Sequence, residues 1–357
     1  MTQLKRLQNT LAKSEFDAAI ISSQINQRYL SGFDYTDGYV LVSADKAYLL
    51  ADFRYIESAR KEVKDFEVIR PESSMLGTLD ELINKNGFVN IAIEESELSC
   101  ESFKRFCERF PTCTFTHGAS EMLTKQRTIK LPYEIELIEK AQEITDKAFS
   151  HILNFITPNV TEVDVALELE FFMRRHGAEG TAFDTIAVSG SASSLPHGIP
   201  TNVKLRQGFL TMDFGAKYNG YCSDMTRTVV IGKADDEIKK VYNTVLSAQL
   251  AALERIHSGM LCRDADELAR SVIREAGYGE AFGHSLGHGV GMYIHESPSL
   301  SPRAADNSRL EAGNVVTVEP GVYLEEKYGC RIEDMIAIKA DGSVHNFTKS
   351  PKELIEI

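Results

Sequence analysis

Residues 209–232, FLTMDFGAKYNGYCSDMTRTVVIG, constrain the fold more tightly than any other stretch of the chain. Two strand-like runs flank Asn219-Gly220, a dipeptide that supplies positive φ at both central positions of a type I′ hairpin turn. A two-residue turn there sets Asp213 opposite Thr226 and Asp224 opposite Gly215, so both carboxylates lie on one face as diagonal neighbours. Two like charges on a hairpin face repel, and they need either cations or solvent.

A second segment concentrates imidazoles. Residues 281–301, AFGHSLGHGVGMYIHESPSLS, hold His284, His288 and His295 among Gly283, Gly287, Gly289 and Gly291. That glycine density disfavours a regular helix and favours close approach of backbone. His295-Glu296 does not form the zinc-helix pattern H-E-x-x-H, because Pro298 follows and position 299 is serine. One histidine is more often structural than functional, whereas three in so short a run, framed by glycines, point to a site. A third segment, NVVTVEPGVYLEEKYGCRIEDMIAI, places Glu319 at the end of an apolar strand and Glu333 inside another. Their even spacing of fourteen does not suit a two-residue hairpin, so a shared face requires an odd loop or a bulge. Asp213, Asp224, His288, Glu319 and Glu333 together make an oxygen-rich set suited to two divalent ions, with manganese, cobalt and zinc all open.

With 357 residues, two domains are expected. The opening third alternates helical pattern with short strands (FDAAIIS, GYVLVS, AYLLAD, NIAIEES) and reads as α/β, without any cluster of ligand spacing. Pro132 opens a long amphipathic helix, and a second helix follows a Thr161 N-cap and ends at Gly177. The expected division is therefore a small domain over 1–127 and a larger one over 128–357, where Gly-punctuated strands alternate with helices. A net charge of −13 without a basic block excludes a nucleic-acid surface. The first residues lack a secretory signal, and no apolar run is long enough to span a membrane. Six scattered cysteines without a C-x-x-C pair fit reduced thiols in the cytoplasm.

Taken in chain order, the five-residue set resembles the metallopeptidases of the creatinase/aminopeptidase P family (M24), which include aminopeptidase P, prolidase and methionine aminopeptidase. INQRYLSGF, ADFRYIESAR and IAIEES resemble the smaller N-terminal domain of aminopeptidase P and prolidase. The resemblance implies a creatinase-like N-terminal α/β domain and a "pita-bread" catalytic domain with a curved antiparallel sheet. It implies that Asp213 binds one ion, that Asp224 and Glu333 bridge, and that His288 and Glu319 bind the second. It matches His197 and His295 to histidines that contact substrate or stabilise the tetrahedral intermediate, Arg331 to an arginine that buttresses the metal carboxylates, and Glu319 to the group that takes the water's proton.

The activity implied is cleavage of the bond before a proline at the second position of short peptides, with a homodimer as the expected assembly. Prolidase acts on dipeptides and must grip a free carboxylate, for which arginine is the natural partner. Ser285 and Ser299 stand where some prolidases carry arginine. The sequence therefore favours Xaa-Pro aminopeptidase, with Xaa-Pro dipeptidase as the alternative and Arg303 as a substitute anion partner. A non-catalytic binding module of the same fold would be expected to have lost at least one of the five ligand residues, and all are present.

Overall fold

The computed structural model of the protein describes residues 1–157 and 159–357, which divide into two compact units, Met1–Arg127 and Thr128–Ile357. In the first unit Thr2 caps α1 (Gln3–Leu11) by accepting from the Lys5 N–H, and Leu4, Leu7 and Leu11 repeat at helical spacing and are buried. There follow β1 (Ala18–Ile21), α2 (Gln24–Ser31), β2 (Tyr39–Ser43), β3 (Ala47–Leu50), α3 (Ile56–Glu62), β4 (Glu67–Ile69), α4 (Met75–Asn86), β5 (Asn90–Ile93), α5 (Cys100–Arg109), β6 (Thr114–His117) and α6 (Ala119–Thr128). The strands form one mixed sheet in the order β4-β3-β2-β1-β5-β6. β1 reads Ala-Ala-Ile-Ile and is buried at every position, as a central strand covered on both faces must be. The unit's one fully buried carboxylate, Glu94, is consumed structurally. It accepts from the Ser23 N–H at 2.8 Å and the Asn26 Nδ2 at 2.6 Å, closing the start of α2.

The second unit repeats one plan twice. The helices α7 (Pro132–Phe155) and α8 (Glu162–Arg175) precede β7 (Gly180–Thr181), β8 (Ile186–Ser189), β9 (Gly208–Phe214), β10 (Ala216–Tyr218), β11 (Tyr221–Cys222) and β12 (Met225–Ile231). A second helix pair, α9 (Asp236–Arg255) and α10 (Cys262–Glu275), precedes β13 (Gly287–Gly289), β14 (Glu296–Leu300), β15 (Val315–Val318), β16 (Gly321–Leu324), β17 (Tyr328–Arg331), β18 (Asp334–Ile338) and β19 (Val344–Asn346). Antiparallel sheets β12-β9-β8 and β14-β13-β15-β18-β19 result.

Period-two alternation assigns each strand face. On β9 and β12, Leu210, Met212, Phe214, Met225 and Val229 pack with α7 and α8 in one core. On β15 and β18, Val316, Val318, Ile336 and Ile338 join α9 and α10 in another. The alternate residues, among them Thr211, Asp213, Thr226, Thr317 and Glu333, face the other way. No helix among the described residues is long and apolar enough to cross a membrane.

On β12 Arg227, 1% exposed, donates to Asp334 at 2.8 Å and to the backbone oxygens of Thr226, Glu333, Ser350 and Pro351. Asp334 is held below the usual carboxylate range: burial opposes this, and Arg227 and Lys352 outweigh it. Removing Arg227 strands those acceptors without solvent. We expect Arg227→Ala to cost about 3–5 kcal/mol in urea melts, against less than about 1 kcal/mol for Lys352→Ala at the edge of the cluster. Equal losses would show that the buried guanidinium is not the anchor.

Candidate metal centre

Two hairpin registers build the centre. Asn219 and Gly220 both have positive φ, 47° and 88°, and Tyr218 pairs with Tyr221. The pairing continues through β9 and β12 with Asp213 opposite Thr226, which puts Asp213 and Asp224 on one face as the dipeptide requires. Gly215 permits the ladder to close, since a Cβ there would lie 1.9 Å from the Ser223 carbonyl oxygen. In the other hairpin Val318 pairs with Asp334 and Gly321 with Arg331, so Glu319 stands directly across from Glu333. The connection is an odd loop: Leu324 pairs with Tyr328 around three residues, with Glu326 at φ 60°. The hairpins join where the Glu333 N–H donates to the Thr226 carbonyl at 3.1 Å and the Thr226 hydroxyl to Glu333 Oε2 at 2.7 Å.

These side chains line a cavity of about 1050 Å³. Asp224, His288 and Glu333 each present an atom within 4.8 Å of the others. His288 Nε2 lies 3.3 Å from Glu319 Oε1 and 3.5 Å from Asp224 Oδ2. The His288 Nδ1–H donates to the Gly289 carbonyl at 3.1 Å, which leaves the Nε2 lone pair facing the carboxylates. Asp213 Oδ2 accepts from Arg331 Nη2 at 2.6 Å, whereas its buried Oδ1 has no hydrogen-bond partner. Arg331 also donates from Nε to the Thr226 hydroxyl at 2.8 Å and from Nη1 to the Tyr323 phenol oxygen at 2.6 Å.

Burial pushes the Glu333 carboxyl well above its ordinary range, reinforced by Asp224, Glu319 and Asp213. Burial likewise raises Asp224, with Asp213 and Glu319 adding to it, and pushes Glu319 up to about 8, with Arg331 opposing. It depresses His288 to about 4 and therefore holds the imidazole neutral. Divalent cations fit this set on three counts: an orphaned carboxylate oxygen, acids uncomfortable as uncompensated anions, and a neutral imidazole with its lone pair inward.

The eight residues expected as metal ligands or catalytic groups line one cavity: Asp213, Asp224, His288, Glu319, Glu333, His197, His295 and Arg331. His295 packs edge-on against His288 with ring centroids 4.4 Å apart. His284, the third histidine of the Gly-rich segment, is there too, donating from Nδ1 to the Ser285 carbonyl and accepting at Nε2 from the Tyr323 hydroxyl at 3.0 Å. Tyr323 and the supporting threonines Thr226 and Thr317 were not singled out. A signal for them existed, because counting by twos from Glu319 reaches Thr317, Gly321 and Tyr323, and the Thr226 position is the one opposite Asp213. Arg303 does not line the cavity.

The model of metallopeptidase family M24 matches residues 136–340, more than half of the chain. The chain belongs to family M24. The Creatinase/Prolidase N-terminal domain model matches residues 3–129 of the same M24 chain. An Xaa-Pro dipeptidase of Pyrococcus furiosus is 37% identical over 355 residues, 99% of each chain. Among solved structures, an Xaa-Pro dipeptidase from Bacillus anthracis superposes with a TM-score of 0.95 at 40% identity, covering 99% of each chain. An X-Pro aminopeptidase from Thermotoga maritima gives 0.91 at 38% identity, covering 98% of this chain and 100% of its own. This M24 chain is accordingly a hydrolase with the two-part α/β architecture of its relatives.

A carboxyl raised by folding stabilises the fold below its unfolded pKa and loses that contribution as pH rises through the folded value. For Glu319 the window runs from about 4.5 to about 8. Chelator-treated protein should therefore lose Tm across that window. Added Mn2+ should restore more of it near about pH 8 than near about pH 5, because ligands must be deprotonated to bind. Scanning fluorimetry across pH checks both; a larger gain at the acid end would remove these carboxylates as ligands.

Proposed function

We propose that this M24 hydrolase is an Xaa-Pro dipeptidase, cleaving dipeptides before proline with two divalent cations held by Asp213, Asp224, His288, Glu319 and Glu333. The observation that carries the hydrolytic reading is the cavity in which four carboxylates and one neutral imidazole face each other. Manganese suits so oxygen-rich a set, with cobalt and zinc as alternatives. Bound there, such cations supply Lewis acidity toward the scissile carbonyl and a nucleophile at neutral pH. Glu319, buried beside the His288 imidazole, takes the attacking water's proton and passes it to proline's nitrogen, which as a tertiary amide carries no hydrogen of its own. His295, packed edge-on against His288, donates a hydrogen bond to the oxyanion. His197 contacts substrate from the facing wall, and Arg331 holds Asp213 in place.

The choice of dipeptides reverses the preference drawn from Ser285 and Ser299. Support comes from the full-length similarity to enzymes named Xaa-Pro dipeptidase in Pyrococcus furiosus and Bacillus anthracis. One observation favours the aminopeptidase reading. Among the described residues Arg331 is the only arginine or lysine lining the cavity, and its guanidinium is already committed to Asp213, Thr226 and Tyr323, so no cation stands ready for a dipeptide's carboxylate. A cytoplasmic setting accords with six free cysteines.

With manganese, Gly-Pro should be hydrolysed at least about tenfold faster, as kcat/KM, than Gly-Pro-Gly, and Gly-Ala-Gly should be inert. Faster turnover of Gly-Pro-Gly would make the protein an aminopeptidase, and cleavage of neither would reduce it to a binder.

Replacing His295 separates chemistry from metal binding. His295→Ala should keep its cations by metal analysis while kcat falls by about 10² or more and KM changes less. Loss of metal would make His295 a ligand, and an unchanged kcat would remove it from the reaction.

A further inference from the structure

The loop that carries His197 is tied at both ends to one buried carboxylate. Glu162, in the first turn of α8, is 2% exposed. Its Oε1 accepts from the Ser189 N–H at 2.8 Å and the Ser189 hydroxyl at 2.9 Å. Its Oε2 accepts from the Thr201 N–H at 3.1 Å and the Thr201 hydroxyl at 2.7 Å. Ser189 is the last residue of β8, and the eleven residues 190–200 between these anchors include Pro196, His197, Gly198, Ile199 and Pro200 of the cavity wall.

Little else fixes the histidine. His197 makes no side-chain hydrogen bond among the described residues, so its place is set by its backbone. The loop buries little apolar surface that would hold it, with Leu195 59% and Ile199 82% exposed. Inside the loop the Gly329 N–H donates to the Ser193 hydroxyl at 3.0 Å, Arg331 Nη1 reaches the Pro196 carbonyl at a long 3.4 Å, and turns bond the Leu195 N–H to Ala192 and the Gly198 N–H to Leu195, while the Val163 N–H holds the Thr201 carbonyl at 3.2 Å. A carboxylate accepting four hydrogen bonds away from solvent is the strongest of these restraints.

We propose that Glu162 is a positioning residue for hydrolysis, closing the 190–200 loop so that His197 is held against the substrate. The inference rests on the reading of His197 as a substrate contact. Glu162 touches neither substrate nor metal carboxylates and acts only through the loop.

Glu162→Gln tests it in the manganese-loaded enzyme. The amide keeps one acceptor oxygen and turns an NH2 toward two donors, which loosens one end of the loop. Elastase, for which the loop offers Ala192 before Ser193, should then cut within residues 190–200 at least about fivefold faster than in the parent protein, as local opening becomes more frequent. Bound metal should be unchanged, and kcat/KM should fall by about tenfold or more, as misplacement of a substrate-contacting group does. The Glu162→Gln/His197→Ala double variant should lose no more than His197→Ala alone, because both changes remove the same contact.

Unchanged cleavage of the loop, or losses that multiply in the double variant, would overturn the proposal. Full activity in His197→Ala would overturn it through the role given to His197, and that failure is recognised by faster loop cleavage without loss of activity. Should Glu162→Gln not fold, Thr201→Val removes a single donor at the far end of the loop and carries the same readouts, in the same directions.

Discussion

Everything in the catalytic unit answers to the cost of gathering Asp213, Asp224, Glu319 and Glu333 in one largely buried space. Burial raises the proton affinity of Asp224, Glu319 and Glu333, and the negative charge of Asp213 adds to it in all three. The protein's own compensation is a single guanidinium: Arg331 binds Asp213 directly and lies within electrostatic reach of Asp224, Glu319 and Glu333. One positive charge cannot balance four negative ones. The remainder is left for protons or cations, which makes the centre a place where metal binding and fold stability share the same free energy.

The geometry that meets this demand is rigid. Each carboxylate sits on or directly beside a strand whose opposite face is packed against a helix pair, so rotation of the strand would carry apolar residues into the cavity and charge into the core. The four acids come from two hairpins, and the Thr226–Glu333 contacts weld the hairpins along their backbones. His288 arrives from β13, whose glycines let it lie close against β15: a Cβ at Gly287 would sit 2.0 Å from the Thr317 carbonyl oxygen.

Residues that do no chemistry on strands need other restraints, and buried ion pairs and carboxylates supply them. Asp266 pairs with Arg270 at 2.6 Å and accepts from the Leu286 N–H, while Arg270 donates to the Phe282 and His284 carbonyls, fixing the approach to His288. Lys130 and Glu296, both nearly solvent-free, pair at 3.2 Å immediately beside His295. Glu162 does the same for the opposite wall. Loops that would otherwise sample many conformations are thereby tied to the strands and helices beside them.

The Asp213–Asp224 relation was legible in the chain because it is local: Asn219-Gly220 selects the turn, the turn sets the register, and period two does the rest. Helix limits were legible for the same reason, through Pro132, the Thr161–Asp164 capping box and Gly177 at φ 106°. The Glu319–Glu333 relation was only half legible, since a spacing of fourteen allows an odd loop or a bulge. The three-residue loop at Glu326 decided it. The Tyr323 bridge from His284 to Arg331 and the seam from Thr226 to Glu333 join residues far apart in sequence. No local conformational preference encodes such contacts; they form because two helix-backed sheets, once folded, have only their polar strand faces left to turn toward each other. The sequence by itself determined which residue types would share a strand face, because propensity and periodicity act over a few residues. Only the tertiary structure decided that these faces meet, because that depends on the packing of whole layers.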